Sequence, residues 1–285
     1  MNGFYFLALK FNSLLKTKGF IHVNKLIVVL TVFFCFMKCT LPSGGKEGEK
    51  GVTDGDLKVY KKIMDSLYKD NEEVTDIDGN LYHTVLIGKQ TWLVENLKVT
   101  CYNNGDSISY ITEEIKWFQA DSGAYCFYNN NRSNVAVYGA LYNWYAAADA
   151  RKICPHGYHI PSVQEWKVLI NYLGGYKKAG SKMKSGLGWA MTRKNPANNN
   201  LFMALPGGTR SNEQNLFFDL SIEGYFRAID EYSDDAAFFC LLYNGYEKAS
   251  LVHNSKMNGL SVRCIKDNEL NLLKQSSVSK SRKLN

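Results

Sequence analysis

The chain has 285 residues and a formal net charge of +7. That charge sits at its ends: residues 1–38 hold five Lys and no acid, residues 269–285 hold four Lys/Arg against one Glu, and residues 39–268 balance 25 basic against 26 acidic side chains. A nucleic-acid binder clusters Lys and Arg on its folded domain, so the basic balance is no sign of one, and no nucleic-acid partner is expected.

In chain order the first element is the apolar run Leu26 to Met37, LIVVLTVFFCFM. Twelve residues are too few for a bilayer-crossing helix, which needs about 20, but suit the h-region of an export signal. Lys10, Lys16, Lys18 and Lys25 precede it, and Cys39 follows, opening the polar run TLPSGGKEGEK. A cysteine directly after an h-region resembles a bacterial lipoprotein signal, with that cysteine as the lipidated residue. Lys38 stands where such signals favour a small residue; an ordinary cleaved signal and an uncleaved anchor are the alternatives. The expected organisation is an export signal over 1–38, a flexible spacer over 39–70 with one short helix in DLKVYKKIMDSLY, a domain over 71–268 and a polar basic tail over 269–285. About 200 residues suffice for one domain with a substantial core.

The domain opens as a hairpin: turn chemistry at Asp78-Gly79-Asn80, a strand LYHTVLI, a turn at Gly88-Lys89 and a strand QTWLVENL. In YGALYNWYAAADA, Tyr138, Leu141, Tyr142 and Tyr145 follow one face of a helix. Next comes CPHGYHIPSVQEW, where Cys154, His156 and His159 precede a helix start. Ser162 and Glu165 form a capping box. Trp166, Leu169, Ile170 and Leu173 make the apolar stripe, and Gly174 stops a helix predicted over about 163–173. Cys154 on the entering loop is open to three readings: a metal ligand with the two histidines, a reactive thiol, or half of a disulfide.

Beyond that helix lie a polar, glycine-rich stretch (GGYKKAGSKMKSGLGWA) and a short strand LFMAL ending in Pro206-Gly207-Gly208. A long polar-aromatic loop over about 209–235 precedes the strands AAFFCLLYN, ASLVHN and GLSVRCIKD. In the last, Val262 and Cys264 face one side. The domain holds five cysteines, Cys101, Cys126, Cys154, Cys240 and Cys264, so at least one thiol is unpaired.

Asp230, Glu231, Asp234 and Asp235 offer oxygen ligands for calcium, but their spacing matches no calcium loop and a solvated turn explains them. The adjacent carboxylates Glu113 and Glu114 cannot face each other across a substrate. No metal or cofactor is expected. Aromatic side chains of Trp117, Phe118, Tyr125, Phe127, Tyr128, Tyr225, Phe226 and Tyr232 could build a recognition platform, although strand alternation buries about half of such a set. Arg210, Asn212, Glu213, Asn215, Tyr225, Arg227 and Tyr232 are the expected exposed, ligand-binding subset.

Taken together, DGNLYHTVLIGKQTWLVENLK, GAYCFYNNN, YGALYNWYAAADA, CPHGYHIPSVQEWKVLINYLGG, ALPGGTR and GLSVRCIKD, in this order over residues 74–267, resemble the Fibrobacter succinogenes major paralogous domain family. One departure is Tyr225-Phe226-Arg227-Ala228-Ile229, where the family commonly has a Trp-Trp-Ser-Ser-Thr-like segment. The resemblance implies an α+β, single C-type-lectin-like domain, similar also to the formylglycine-generating-enzyme-like fold: two helices packed on small antiparallel sheets, with long irregular loops. It also implies an exported or surface lipoprotein of the cell envelope, and a Cys154–Cys264 disulfide, because lectin-like folds join a cysteine at the second helix to one in the terminal strand. The calcium and sugar signatures of C-type lectins, Glu-Pro-Asn or Gln-Pro-Asp with Trp-Asn-Asp, are absent from the sequence. Two function classes follow. One is a membrane-anchored, non-catalytic binding or adhesion module for a polysaccharide or protein. The other is an enzyme of the formylglycine-generating group, an oxidase whose copper-binding cysteine pair would have to come from the five cysteines.

Overall fold

A computed structural model describes residues 52–190, 202–212 and 216–268, all within one compact unit that begins at Gly44. Helix α1 (Asp54–Tyr68) occupies the end of the stretch expected as spacer. Thr53 caps it: its Oγ1 accepts from Asp56 N at 3.2 Å while Asp56 Oδ2 accepts from Thr53 N at 3.1 Å. Tyr60, Ile63, Met64 and Tyr68 form one buried face, so the helix packs on the domain from its second turn onward.

The first sheet starts with β1 (Glu73–Thr75), β2 (Leu81–Ile87) and β3 (Gln90–Leu93). Asp76 organises the first turn: its Oδ1 accepts from Asp78 N and Asn80 N at 3.0 and 2.9 Å, and its Oδ2 accepts from Tyr82 Oη at 2.7 Å. The predicted turn at Gly88-Lys89 joins β2 to β3, with Ile87 opposite Gln90.

The chain then builds β4 (Ser109–Tyr110), α2 (Glu114–Phe118) and β5 (Ala124–Cys126), followed by two 3-10 turns and α3 (Val135–Tyr138). The single helix expected in YGALYNWYAAADA does not form. Gly139 adopts φ 74°, where an added Cβ would lie 2.7 Å from Leu97 O, and this close approach ends α3. Leu141 and Tyr142 become β6, and Asn143 starts α4 (Trp144–Ala148), its Oδ1 accepting from Ala146 N at 3.0 Å. Tertiary strand pairing here overrides a helical pattern.

After β7 (Tyr158–His159) comes α5 (Val163–Tyr172), the predicted helix with both halves of its capping box. Trp166, Leu169, Ile170 and Leu173 are buried, and Gly174 (φ 103°) terminates it. The glycine-rich stretch beyond is not irregular: it forms α6 (Tyr176–Met183). Its buried face is Ala179, Gly180 and Met183, too slight for an apolar stripe to show in sequence.

The expected long loop over 209–235 is sheet as well: β8 (Gly207–Arg210), β9 (Phe217–Leu220) and β10 (Glu223–Glu231). β11 (Ala236–Tyr243) and β12 (Ala249–Ser255) pair with β10 and with each other, antiparallel. GLSVRCIKD splits into β13 (Leu260–Ser261) and β14 (Ile265–Lys266) because its two ends join different sheets. The first sheet runs β1-β2-β3-β14-β7. The second runs β12-β11-β10-β13-β6-β5-β4, with β8 beside β10 and β9 beside β8. Pairing is antiparallel except for β10–β13, β10–β8 and β4–β5. The fold is thus α+β, largely antiparallel sheet with few helices; two of the six helices among the described residues reach ten residues.

The segment 260–266 is the seam between the sheets. Val262 and Cys264 enter one core with Tyr82, Leu93, Tyr142 and Ile160, on one side as expected. Arg263 points into a second, aromatic core where Trp92, Trp166, Phe202 and Phe226 meet at centroid distances of 4.8–6.4 Å. Its guanidinium donates to the carbonyls of Leu93 and Phe202 at 3.3 and 2.7 Å and to Asn96 Oδ1 at 2.8 Å. It lies 4.8 Å from the Phe202 ring centre and 5.6 Å from that of Phe226. Carbonyls at the edge and rings on the faces let a guanidinium be buried without a carboxylate in direct contact; burial brings its pKa down to about 10 although Glu95 nearby favours the charge. Cys154, on the loop before β7, is joined to Cys264 across 110 residues. Among the described residues no helix is long and apolar enough to cross a membrane.

Candidate functional site

The residues expected as an exposed recognition surface are divided by the fold. Arg210 and Arg227 are fully buried and Asn212 nearly so, which corrects the expectation for all three. They lie on or beside β8 and β10, inside the second sheet, where the turn between β12 and β13 crosses over them. Arg210 Nη1 donates to Ile111 O at 2.6 Å, and Nη2 to the carbonyls of Thr112 and Glu113 at 3.1 and 3.3 Å. Its guanidinium lies 4.4 Å from the Trp117 ring centre. Asn212 N donates to Asn258 Oδ1 at 2.7 Å, and Arg227 Nη2 donates to Asn258 O. Asn212 and Arg227 thus hold the turn at Asn258 from inside, while the Arg210 side chain holds residues 111–113.

Tyr225 is half-buried, its hydroxyl donating to Asp219 Oδ2 at 2.8 Å and its ring 5.6 Å from Phe239. Burial, then the carboxylates of Glu223 and Asp219, push its phenol well above the ordinary range. Of the other expected platform aromatics, Trp117, Tyr125, Phe127, Tyr128 and Phe226 are core, while Phe118 is exposed. Glu213, Asn215 and Cys39 lie outside the described residues.

Tyr232 is exposed, with 56% of its surface open. It follows β10 directly, and its ring stacks on His253 of β12 with centroids 3.5 Å apart and planes 5° from parallel. Phe238 of β11 stands edge-on to both rings at 5.4 and 6.0 Å. Strand register places Phe238 opposite His253. Neither partner was singled out from sequence, although the alternation in AAFFCLLY and ASLVHNS carries that information once the strands are paired. Three of the four carboxylates beside the stack already serve the protein. Asp230 Oδ2 accepts from Val163 N at the start of α5, Glu231 pairs with Lys256 Nζ at 2.9 Å, and Asp235 accepts from Ser233 Oγ.

A second feature is a mostly apolar recess of about 300 Å³ beside the disulfide, walled by Ala147, Ala148, Ala150, Ile153, Ile160 and Ile229. His159 stands on its lining, Nδ1 against Asp267 Oδ1 and Nε2 against Glu165 Oε1 at 2.9 Å. Burial opposes its charge, but the two carboxylates outweigh burial and hold its pKa above the ordinary value. Against the same burial penalty, His159 and Ser162 hold Glu165 below the usual carboxylate range. With both ring nitrogens so engaged and Cys154 in a disulfide, neither is free to bind a metal with His156. Among the described residues no group of three or more His, Cys, Asp or Glu is placed to do so.

Among the described residues the remaining thiols are Cys101, half-buried, and Cys126 and Cys240, buried. Burial pushes the Cys126 thiol up to about 12 and that of Cys240 upward as well, so at neutral pH neither supplies the thiolate that nucleophilic or soft-metal chemistry needs.

No curated protein and no solved structure matches the chain. The model of the Fibrobacter succinogenes major domain family matches residues 85–266, from within β2 to the end of β14, and so takes in the whole second sheet, the first sheet from the end of β2 onward, the disulfide and Tyr232 with its stacking partners. The chain belongs to the Fibrobacter succinogenes major domain family.

Proposed function

We propose that this protein is a cell-envelope lipoprotein, anchored in a membrane through Cys39, whose domain is non-catalytic and binds a polysaccharide or protein ligand at the Tyr232–His253 stack. The observation that carries the reading is the stack itself. Cross-strand register holds two exposed rings parallel, braced edge-on by Phe238. An aromatic surface fixed before binding gives contact area at little entropic cost. The apolar run at 26–37 followed by Cys39 supports export and anchoring. A C-type-lectin-like domain is supported by the sharing of one sheet by β1 and β14, which brings the domain's ends together, and by the tie from the loop before α5 to the terminal segment. The protonated, buried thiols weigh against the copper-oxidase alternative.

The full chain should be screened on glycan and protein arrays, and Tyr232→Ala and His253→Ala compared against the hit. Each substitution should weaken binding at least ~10-fold, about 1.4 kcal/mol, with the melting temperature nearly unchanged. Unaltered binding by the double variant rejects the site. Copper-dependent thiol oxidation, or glycan hydrolysis abolished by one carboxylate substitution in a folded protein, rejects the binding-module reading. Mass spectrometry of the mature N-terminus should find an acylated Cys39; an unmodified Cys39, or Lys38 still attached, rejects the anchor.

A further inference from the structure

Among the described residues three arginines are fully buried, and in two of them both terminal nitrogens of the guanidinium are placed on acceptors. Arg210 is held through Nη1 and Nη2 by three backbone carbonyls, with Nε alone unpartnered, and Arg263 by carbonyls and Asn96, each with aromatic rings against the guanidinium. Arg227 differs. It lies on β10 opposite Phe239, is 0% exposed, and makes a single hydrogen bond, from Nη2 to Asn258 O. Its Nε and Nη1 are buried with no partner.

Nε and Nη1 together carry three N–H donors on a cation. A buried charge survives in a protein when something neutralises it, and buried donors survive when something accepts from them. Burial alone acts on this guanidinium, with no ionised neighbour contributing, and pulls its pKa down to about 9, still charged at neutral pH. A buried water would accept from two of the donors and leave the charge uncompensated. An anion does both.

We infer that Arg227 holds a small monovalent anion, chloride by size and abundance, as an integral part of the fold beneath the turn between β12 and β13. The complete burial of the side chain sets the size. A carboxylate borne on a sugar or peptide cannot reach Nε and Nη1 without opening the sheet, whereas a monatomic ion is enclosed as the chain folds. The site is separate from the Tyr232 stack and does not depend on the ligand proposed there.

The test is the stability of the full chain in urea at constant ionic strength, with chloride exchanged for gluconate, which is too large to enter. Binding to the folded state alone predicts a folding equilibrium constant that rises up to tenfold for each tenfold increase in chloride above its Kd. Bromide should substitute, and crystals grown in bromide should show an anomalous peak within hydrogen-bond distance of Arg227 Nε and Nη1. Arg227→Met, which removes both the charge and the donors, should abolish the chloride dependence. Chloride-independent stability, the same dependence in Arg227→Met, or a water without anomalous signal at that place would each overturn the inference. Should Arg227→Met fail to fold, the wild-type titration and the bromide peak still decide.

Discussion

Substituting Cys154 by alanine opens a bridge that closes 110 residues, from the loop before β7 to the seam between the sheets. In the chain-entropy model a loop of that length removes about 16 cal/mol/K from the unfolded ensemble, or about 4.8 kcal/mol at 25 °C. Both sulfurs are buried, so truncation also leaves a small void in the core around Val262 and Ile160, adding ~1 kcal/mol. Losses measured for native disulfides run to about 2–5 kcal/mol, a large fraction of the ~5–15 kcal/mol that holds a domain folded. Urea unfolding followed by tryptophan fluorescence should therefore show Cys154→Ala and Cys264→Ala destabilised by several kcal/mol and within ~1 kcal/mol of each other. The double variant should add little, because one bridge is lost only once. Reduced wild type should unfold at nearly the same urea concentration as the variants. Additive losses, single losses below ~1 kcal/mol, or peptide mapping that pairs either cysteine with Cys101, Cys126 or Cys240 would refute this reasoning.

Two other outcomes follow from the geometry. His159 between Glu165 and Asp267 has a raised folded-state pKa, so its stabilisation is complete below the unfolded value of about 6.5 and is lost as pH rises through the folded value. His159→Gln should flatten that limb of the stability profile, and superimposable profiles would show that the pair of contacts contributes nothing. Gly180 of α6 packs at the entry to β12 so closely that an added Cβ would lie 2.2 Å from the O of Lys248, the residue before the strand. Gly180→Ala should thus cost roughly 1–3 kcal/mol in thermal unfolding despite alanine's better helix propensity, and a neutral result would mean that helix and strand are not in that contact.

The correction at Arg210 and Arg227 changes what their substitution tests. At exposed loop positions, as expected from sequence, the two would contact a ligand without bearing on stability. Buried on β8 and β10, Arg210 anchors the carbonyls of residues 111–113 and Arg227 reaches the turn at Asn258, so alanine there acts on the fold first. Only Tyr232, among the described members of that set, keeps the expected exposure.

What the sequence alone determined is whatever rests on neighbours a few residues apart. The capping box of Ser162 and Glu165, the stripe from Trp166 to Leu173, the stop at Gly174 and the Gly88-Lys89 turn all depend on local hydrogen bonds and on which dihedrals a residue tolerates. The pairing of Cys154 with Cys264 came from a family resemblance, not from local pattern. Only the tertiary structure decided that Leu141 and Tyr142 extend as β6, because the pairing of β5 and β13 with them outweighs a helical pattern. It alone showed that the polar run after residue 208 is sheet, where Arg210 is made tolerable by carbonyls 97 to 99 residues away in the chain. The Tyr232–His253 stack is of the same kind: two rings 21 positions apart in sequence become one surface through the register of three strands, and no local rule contains that register.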